Sequence, residues 1–515
     1  MNLLRATITV GCFTGISRVL GFCRDILVAA SLGAGLWADI FFVAFKLPNL
    51  FRRLFAEGAF SAAFIPIFVG KLEKGGHESA QRFIDEAFAI LLWFLLVFVI
   101  IVELFMPYLI LGVAPGFFEN PDKVQLAIFL TRVTFPYVLF ISLVSLFSGV
   151  LNSLGRFSAA AATPIFLNLC LIGSVIWLAP YVESPAHALS WGIAIAGVIQ
   201  LCWIIWAVFR AGFILHFIFP RFTSNTLTLI RRMMPVAVGA GIYQINLVID
   251  TIIASFLPEG SISYLFYADR VIQLPLGIVG VAVGTALLPL LTRQIKSGDS
   301  ARAVISQQKA IELSLFFILP AATALAIIAG PIIQTLFERQ EFDAISSAAT
   351  ANAVAIYALG LPAYILIKSL TPGFFSREDT LTPVKISIFC VGLNLLLNLL
   401  LMGPFLHVGI AMATAVASWV NAIFLAGILI KRGHLKVSFG LFARISKIIL
   451  SATIMGIGLW LVMFYNPALF SGGELSRFLA LLMLVVIGLI TFVLTAQLLG
   501  VMRFAEIKVM MRDHN

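Results

Sequence analysis

Apolar stretches long enough to cross a bilayer recur fourteen times along this chain of 515 residues, and little soluble architecture survives that constraint. A hydrocarbon core about 30 Å thick takes roughly 20 helical residues to span, and lipid leaves every backbone N–H and C=O to be satisfied within the helix itself. Segmenting at glycine, proline and charge predicts helices near 3–31, 36–70, 83–112, 124–152, 158–179, 186–210, 226–256, 263–293, 303–330, 344–371, 382–402, 407–431, 442–465 and 475–502. The expectation is an all-α polytopic membrane protein with about 14 transmembrane helices.

The connections test that segmentation. Alternate loops carry Lys71, Lys74 and Arg82, then Arg156, then Arg210, Arg221, Arg231 and Arg232, then Arg293, Lys296 and Arg302, then Arg377 and Lys385, then Lys431, Arg432 and Lys436. Opposite loops hold few cations beside Glu119, Asp122, Glu183, Glu259, Glu338, Glu341 and Asp343. Cation-rich short loops stay in the cytoplasm, so both termini are expected there. The same bias accounts for the net charge of +10 without nucleic acid as a partner. The five cysteines form no CxxC pair, and each reads as a small buried hydrophobe. Arg18, Arg24 and Asp25 interrupt the first apolar run, which argues for a retained helix rather than a cleaved signal.

Against this background the stretch 39–60 is anomalous. It places Lys46, Pro48, Arg52, Arg53 and Glu57 in a membrane-grade sequence. A charge at mid-bilayer costs roughly 2.5–3.5 kcal/mol on insertion scales, so such residues face polar space and act there. Arg18, Arg24, Asp25, Asp39 and Arg270 extend the set, with Asp269 beside the last. Arg18 and Asp25 are seven residues apart and share a helix face, which lets Asp25 neutralise one arginine and leaves Arg24 on another side. An excess of guanidinium over carboxylate calls for an anion, and phosphate oxygens suit the guanidinium fork. The competing reading is simple pairing of Arg18 with Asp25 and of Arg270 with Asp269, with Arg52 and Arg53 reaching to the surface.

Internal similarity divides the chain further. Residues 25–32, DILVAASL, align with 250–257, DTIIASFL, and FKLP at 45–48 resembles IQLP at 272–275. The spacing from Pro48 to Pro66 exceeds that from Pro275 to Pro289, and the extra length falls around Arg52, Arg53 and Glu57. Two parallel six-helix lobes, 1–211 and 220–432, with two additional helices at 440–503, are expected. Gly33, Gly35, Pro48 and Pro275 are expected hinges.

A second polar set combines Asp250 with Asn394, Asn398 and Thr414. Hard oxygen ligands suit a monovalent cation, and interhelical hydrogen bonding explains the same residues equally well. Lys368, Arg132 and Glu103 are embedded charges with no partner assigned. The six histidines fall in loops, tails or helix ends, and HExxH, GxSxG and glycine-rich phosphate loops are missing. An enzyme would have to rely on a lone carboxylate such as Asp39, so the expectation is a transporter without cofactor beyond that cation.

SRVLGFCRD at 17–25, ADIFFVAFKLPNLFRRLFAEGAFSAAFIP at 38–66, YADRVIQLP at 267–275 and TPGFFSREDTLTPVKI at 371–386 resemble the MurJ (MviN) lipid II flippases of the multidrug/oligosaccharidyl-lipid/polysaccharide exporter superfamily. The resemblance implies an inner-membrane protein of peptidoglycan synthesis and cell-wall biogenesis. Its substrate would be undecaprenyl-pyrophosphate-linked disaccharide-peptide, moved to the periplasmic leaflet by alternating access. It places functional charges at Arg18, Arg24, Asp39, Arg52 and Arg270, gives the lipid tail a groove along 440–503, and makes peptidoglycan polymerases candidate partners. Gln273 stands where relatives often carry a carboxylate. The alternatives are an exporter of another amphipathic anion or drug with the same fold, and a wall-synthesis enzyme or scaffold.

Overall fold

The computed structural model describes residues 3–55 and 59–501, and their regular structure is helical apart from an isolated β-bridge between Arg339 and Phe342. Among the described residues nine helices are long and apolar enough to cross a membrane. The long helices α1 (Leu3–Leu32), α2 (Leu36–Phe55), α9 (Ser224–Ser255) and α10 (Ser261–Lys296), which carry Arg24, Asp39, Asp250 and Arg270, lie outside those nine.

Helix ends differ from expectation where backbone chemistry intervenes. The chain expected to loop between 70 and 83 is helical, because α3 runs from Ala59 to Leu104 and turns at Gly76, whose φ of 65° and ψ of −165° leave the helical region. Glycine adopts that conformation without a Cβ penalty. The helix expected over 124–152 is two, α5 (Pro121–Thr134) and α6 (Tyr137–Ser153), since Pro136 has no N–H to continue the ladder. Similarly, α11 (Ser300–Ile327) hands over to α12 (Ala329–Phe337) at Ile328, with φ −105° and ψ 27°. The break expected between 382–402 and 407–431 is present: the two are limbs of α14 (Leu381–Lys431), folded at Leu406 with φ 52°.

Contacts divide the chain into two compact units, the first holding the described residues to Ser263 together with Arg339–Phe342, and the second holding Tyr264–Glu338 and the chain from Asp343. In the first, α4 (Met106–Val113) and α5 precede α6, and α7 (Phe157–Gly173) and α8 (Pro185–Phe209) follow. Helix α2 packs against α5, α6 and α8, and Ala38–Phe45 is buried on every side, the carboxylate of Asp39 included. Thr134 seals one side by donating to the carbonyl of Ala44 at 2.9 Å. The limbs of α3 are joined by Phe64, stacked on Phe83 with centroids 5.2 Å apart.

In the second unit α11 packs against α13 (Ala344–Phe375) and α15 (Phe439–Tyr465), and α15 against α16 (Glu474–Leu498). An apolar cluster that includes Ile448, Met455, Leu459, Leu484 and Phe492 holds the last two helices together. A Cβ at Gly409 would collide with the carbonyl oxygen of Leu401, so the α14 fold requires glycine there. Before α14, Asp379 accepts from the hydroxyl of Thr382 at 2.6 Å and from Arg432 at 2.5 Å, and these bonds hold its carboxyl down to about 2.

The two expected glycine hinges are not alike. Gly33 closes α1 at φ 65°, and a Cβ there would strike the carbonyl of Glu341, whose N–H donates to Ala30. Gly35 has open space around it and an ordinary φ. Gly33→Ala is expected to cost about 1–3 kcal/mol, the range for a strained backbone position, before the clash is added. Gly35→Ala should leave stability unchanged or raise it slightly. Thermal unfolding in detergent checks the pair, and equal losses would contradict the assignment.

Candidate functional site

Helix α1 brings Arg24 and Asp25 to the face that packs on α7. Nε and a terminal nitrogen of Arg24 donate to the same Asp25 oxygen at 3.0 and 2.6 Å, and the other terminal nitrogen donates to Oδ1 of Asn168 at 2.8 Å. Both charged side chains are nearly buried, at 11% and 8% exposure. Asn168 is held in turn, because its amide donates to the carbonyl of Ser17 at 2.9 Å. Gly21 leaves room for it: a Cβ there would already sit 3.5 Å from the amide nitrogen. Among the described residues three of the five guanidinium donors are engaged, and one N–H on each terminal nitrogen is not.

The facing argument from spacing therefore selects the wrong partner. Asp25 pairs with Arg24 and not with Arg18, which is exposed. Ideal helical spacing orients the Cα–Cβ bonds of neighbours apart, but a long flexible arginine can fold back to the adjacent carboxylate.

On α2, Asp39 is buried at 2% exposure and takes three hydrogen bonds: Gly260 N–H at 2.8 Å on one oxygen, and Ser263 N–H at 2.9 Å with Ser263 Oγ at 2.6 Å on the other. These N–H groups open α10. Gly260 has no side chain to cap that helix, and Asp39 supplies the missing acceptor and the negative charge its N-terminus favours. At the middle of α2, the ammonium of Lys46 bonds the hydroxyl of Thr251 on α9. Arg52 donates to Asn49 at 3.2 Å, and Asn49 to the carbonyl of Phe45 at 3.0 Å, which keeps that arginine along its own helix. Glu57 and the side chain of Arg53 lie outside the described residues.

In the second unit Arg270 lies over the ring of Phe266, 4.5 Å from its centroid. Asp269 accepts from Gln273 at 2.8 Å instead of from Arg270, so glutamine serves there as a donor. Asn398 donates to Asn394 at 3.0 Å and Asn394 to Thr414 at 3.3 Å, both asparagines being buried. Asp250 belongs to the first unit. Among the described residues no group of three or more His, Cys, Asp or Glu side chains could hold a metal ion. Glu103 and Arg132, left without partners on sequence grounds, pair with each other at 3.9 Å, while Lys368 packs on the bare backbone of Gly280.

Sequence reasoning missed Asn168, Ser263 and Thr251. Each is a polar residue in an apolar helix or at its first turn, a signal visible in the sequence. Their roles depend on partners 144, 224 and 205 residues away.

Comparison with known proteins bears on the same chain. The family model described as "Lipid II flippase MurJ" matches residues 28–499. A Rhizobium tropici protein named "Probable lipid II flippase MurJ" is 44% identical over 506 residues, covering 97% of this chain and 95% of its own length. A Burkholderia cenocepacia protein named "Lipid II flippase MurJ" is 36% identical over 442 residues, covering 84% and 85%. A solved structure titled "Lipid II flippase MurJ, inward closed conformation" superposes with a TM-score of 0.78 at 24% identity, over 95% of this chain and 98% of its own. An inward-facing multidrug resistance transporter of the MATE family, in the MOP superfamily, gives 0.69 at 13% identity, over 83% and 98%. The last two establish shared fold alone. With a family model spanning 28–499 and relatives above 30% identity over nearly their full length, the chain belongs to the lipid II flippase MurJ family.

Proposed function

We propose that this chain carries lipid II, the undecaprenyl-pyrophosphate-linked precursor of peptidoglycan, from the cytoplasmic to the periplasmic leaflet by alternating access. The observation that carries the reading is the Arg24 triad. A guanidinium inside an apolar helix, fixed by Asp25 and Asn168 and, among the described residues, with one N–H on each terminal nitrogen not engaged, is preorganised for a phosphate oxygen pair. By sequence α1 and α2 hold Arg5, Arg18, Arg24, Lys46, Arg52 and Arg53 against Asp25 and Asp39, and this net positive charge favours a pyrophosphate over a neutral or cationic headgroup. Arg270, half-buried against Phe266, is a further proposed contact.

In this reading fourteen segments cross the inner membrane, as lobes 1–211 and 220–432 plus the pair 440–503, with both termini cytoplasmic. A cavity of about 300 Å³ between α11 and α15, lined by Thr323, Ile327, Gly456 and Trp460 among others, supports a groove for the polyprenyl tail. Asp39 acts through position, holding the start of α10. Reset of the empty carrier by membrane potential or a monovalent cation, and delivery to peptidoglycan polymerases, complete the proposal; the bonds within Asn394, Asn398 and Thr414 favour a packing role for that trio.

Reconstituted vesicles given labelled lipid II and a probe confined to the outside test the proposal. The chain should expose the label, and Arg24→Ala should slow exposure at least about tenfold, since a charge-assisted bond contributes about 1.5–3 kcal/mol. No exposure above protein-free vesicles, or equal rates, would sink it. Asp39→Asn separates positioning from binding. An amide nitrogen cannot accept from the α10 N–H groups, so about 1–3 kcal/mol of stability should be lost while affinity per folded molecule is kept. Thermal unfolding and lipid II binding on the same sample check this, and a large affinity loss at unchanged stability would assign Asp39 to the ligand.

A further inference from the structure

Beyond the charges of α1 and α2, the first unit holds a second concentration of cations where α3 turns at Gly76. A cavity of about 480 Å³ opens there between the first limb of α3 and the start of α9, within the roughly 300–1,000 Å³ range of small-molecule sites. Lys71 and Lys74 come from α3 and Arg232 from α9. Ser79, Asn225 and Thr228 add hydroxyl and amide groups, and no carboxylate lines the space.

Three like charges around one cavity repel each other unless something neutralises them. Among the described residues none of the three has an ion-pair partner; Glu73, between the two lysines in sequence, is exposed and does not line the cavity, and three further carboxylates nearby are committed elsewhere. Glu78 pairs with Arg82 at 3.6 Å, Asp85 takes His216 at 3.0 Å, and Glu86 accepts from the Thr223 hydroxyl at 2.8 Å. Thr223 also caps α9, so that helix presents its positive end close to Asn225, its second residue. The walls are kept open by glycine: a Cβ on Gly75 would press to 2.5 Å from Ser79, and Gly76 needs its positive φ. Pro66, Ile67 and Gly70 make the other wall apolar, and it continues into the apolar limb of α3. From the start of α3 at Ala59 to Lys71 is 12 residues, about 18 Å of helix, so this cavity is set along the chain from Arg24 and Arg52.

We propose that this cavity binds a phosphate group as a second anion site, distinct from the residues assigned to the transported pyrophosphate. The ligand is either the phosphodiester of an anionic lipid, whose glycerol and chains would follow the apolar wall, or a free phosphate. Both present the oxygens that two ammonium groups, a guanidinium and a helix N-terminus recognise.

Lysine acylation read residue by residue on the full chain tests it. With inorganic phosphate in detergent, or in phosphatidylglycerol nanodiscs against phosphatidylcholine nanodiscs, Lys71 and Lys74 should react several-fold more slowly, while exposed Lys296 keeps its rate. Protection by phosphate alone identifies a free anion, and protection in phosphatidylglycerol alone identifies a lipid headgroup. Arg232→Gln should raise the half-protecting phosphate concentration, or the phosphatidylglycerol fraction, about tenfold, as for one lost charge-assisted bond. Unchanged rates at Lys71 and Lys74, equal slowing at Lys296, or full protection in Arg232→Gln would overturn the proposal.

Discussion

The contact on which the rest depends is the one that compensates the charge of Arg24 in an apolar helix. Placing a guanidinium at mid-membrane costs roughly 2.5–3.5 kcal/mol on insertion scales, and breaking a buried pair leaves an uncompensated charge. Asp25 answers the charge and Asn168 the geometry, so α1 and α7 must stay in register for either to succeed. Gly21 and Ser17 are part of the same constraint, one by taking no space and the other by fixing the amide's orientation. Arg24, the proposed phosphate contact, is thereby also a packing element.

Helix α2 shows how the same unit affords its polar residues. It is enclosed by α5, α6 and α8 along Ala38–Phe45, and each polar group it buries has a distant partner. Asp39 serves the start of α10, and Lys46 reaches Thr251 on α9. Three helices far apart in sequence are tied to one by hydrogen bonds that lipid cannot replace.

Much of this was legible in the sequence. Apolar length located the helices, because bilayer thickness dictates it. The crowding of Arg18, Arg24, Asp25, Asp39 and Arg52 singled out two helices as candidates for function, because such charges are costly. Helix ends were unevenly legible: the fold at Leu406 falls within the expected 403–407 turn, whereas Pro136 breaks a helix where hydropathy runs on without interruption. Partners were least legible. Spacing on an ideal helix favoured Arg18 for Asp25, yet the reach of the Arg24 side chain decided otherwise. Nothing local joins Asp39 to Ser263 or Arg24 to Asn168, since those contacts exist only once the helices pack.

The central claim is that Arg24 reads the pyrophosphate rather than merely holding α1 to α7. The most direct measurement is the affinity of the purified chain for lipid II and for an analogue with a neutral linker in place of pyrophosphate, each with wild type and Arg24→Lys. Lysine keeps the charge but loses the planar fork. The account predicts that Arg24→Lys weakens lipid II binding about tenfold and leaves the analogue nearly unchanged. Equal weakening of both ligands would reduce Arg24 to a packing residue and contradict the account.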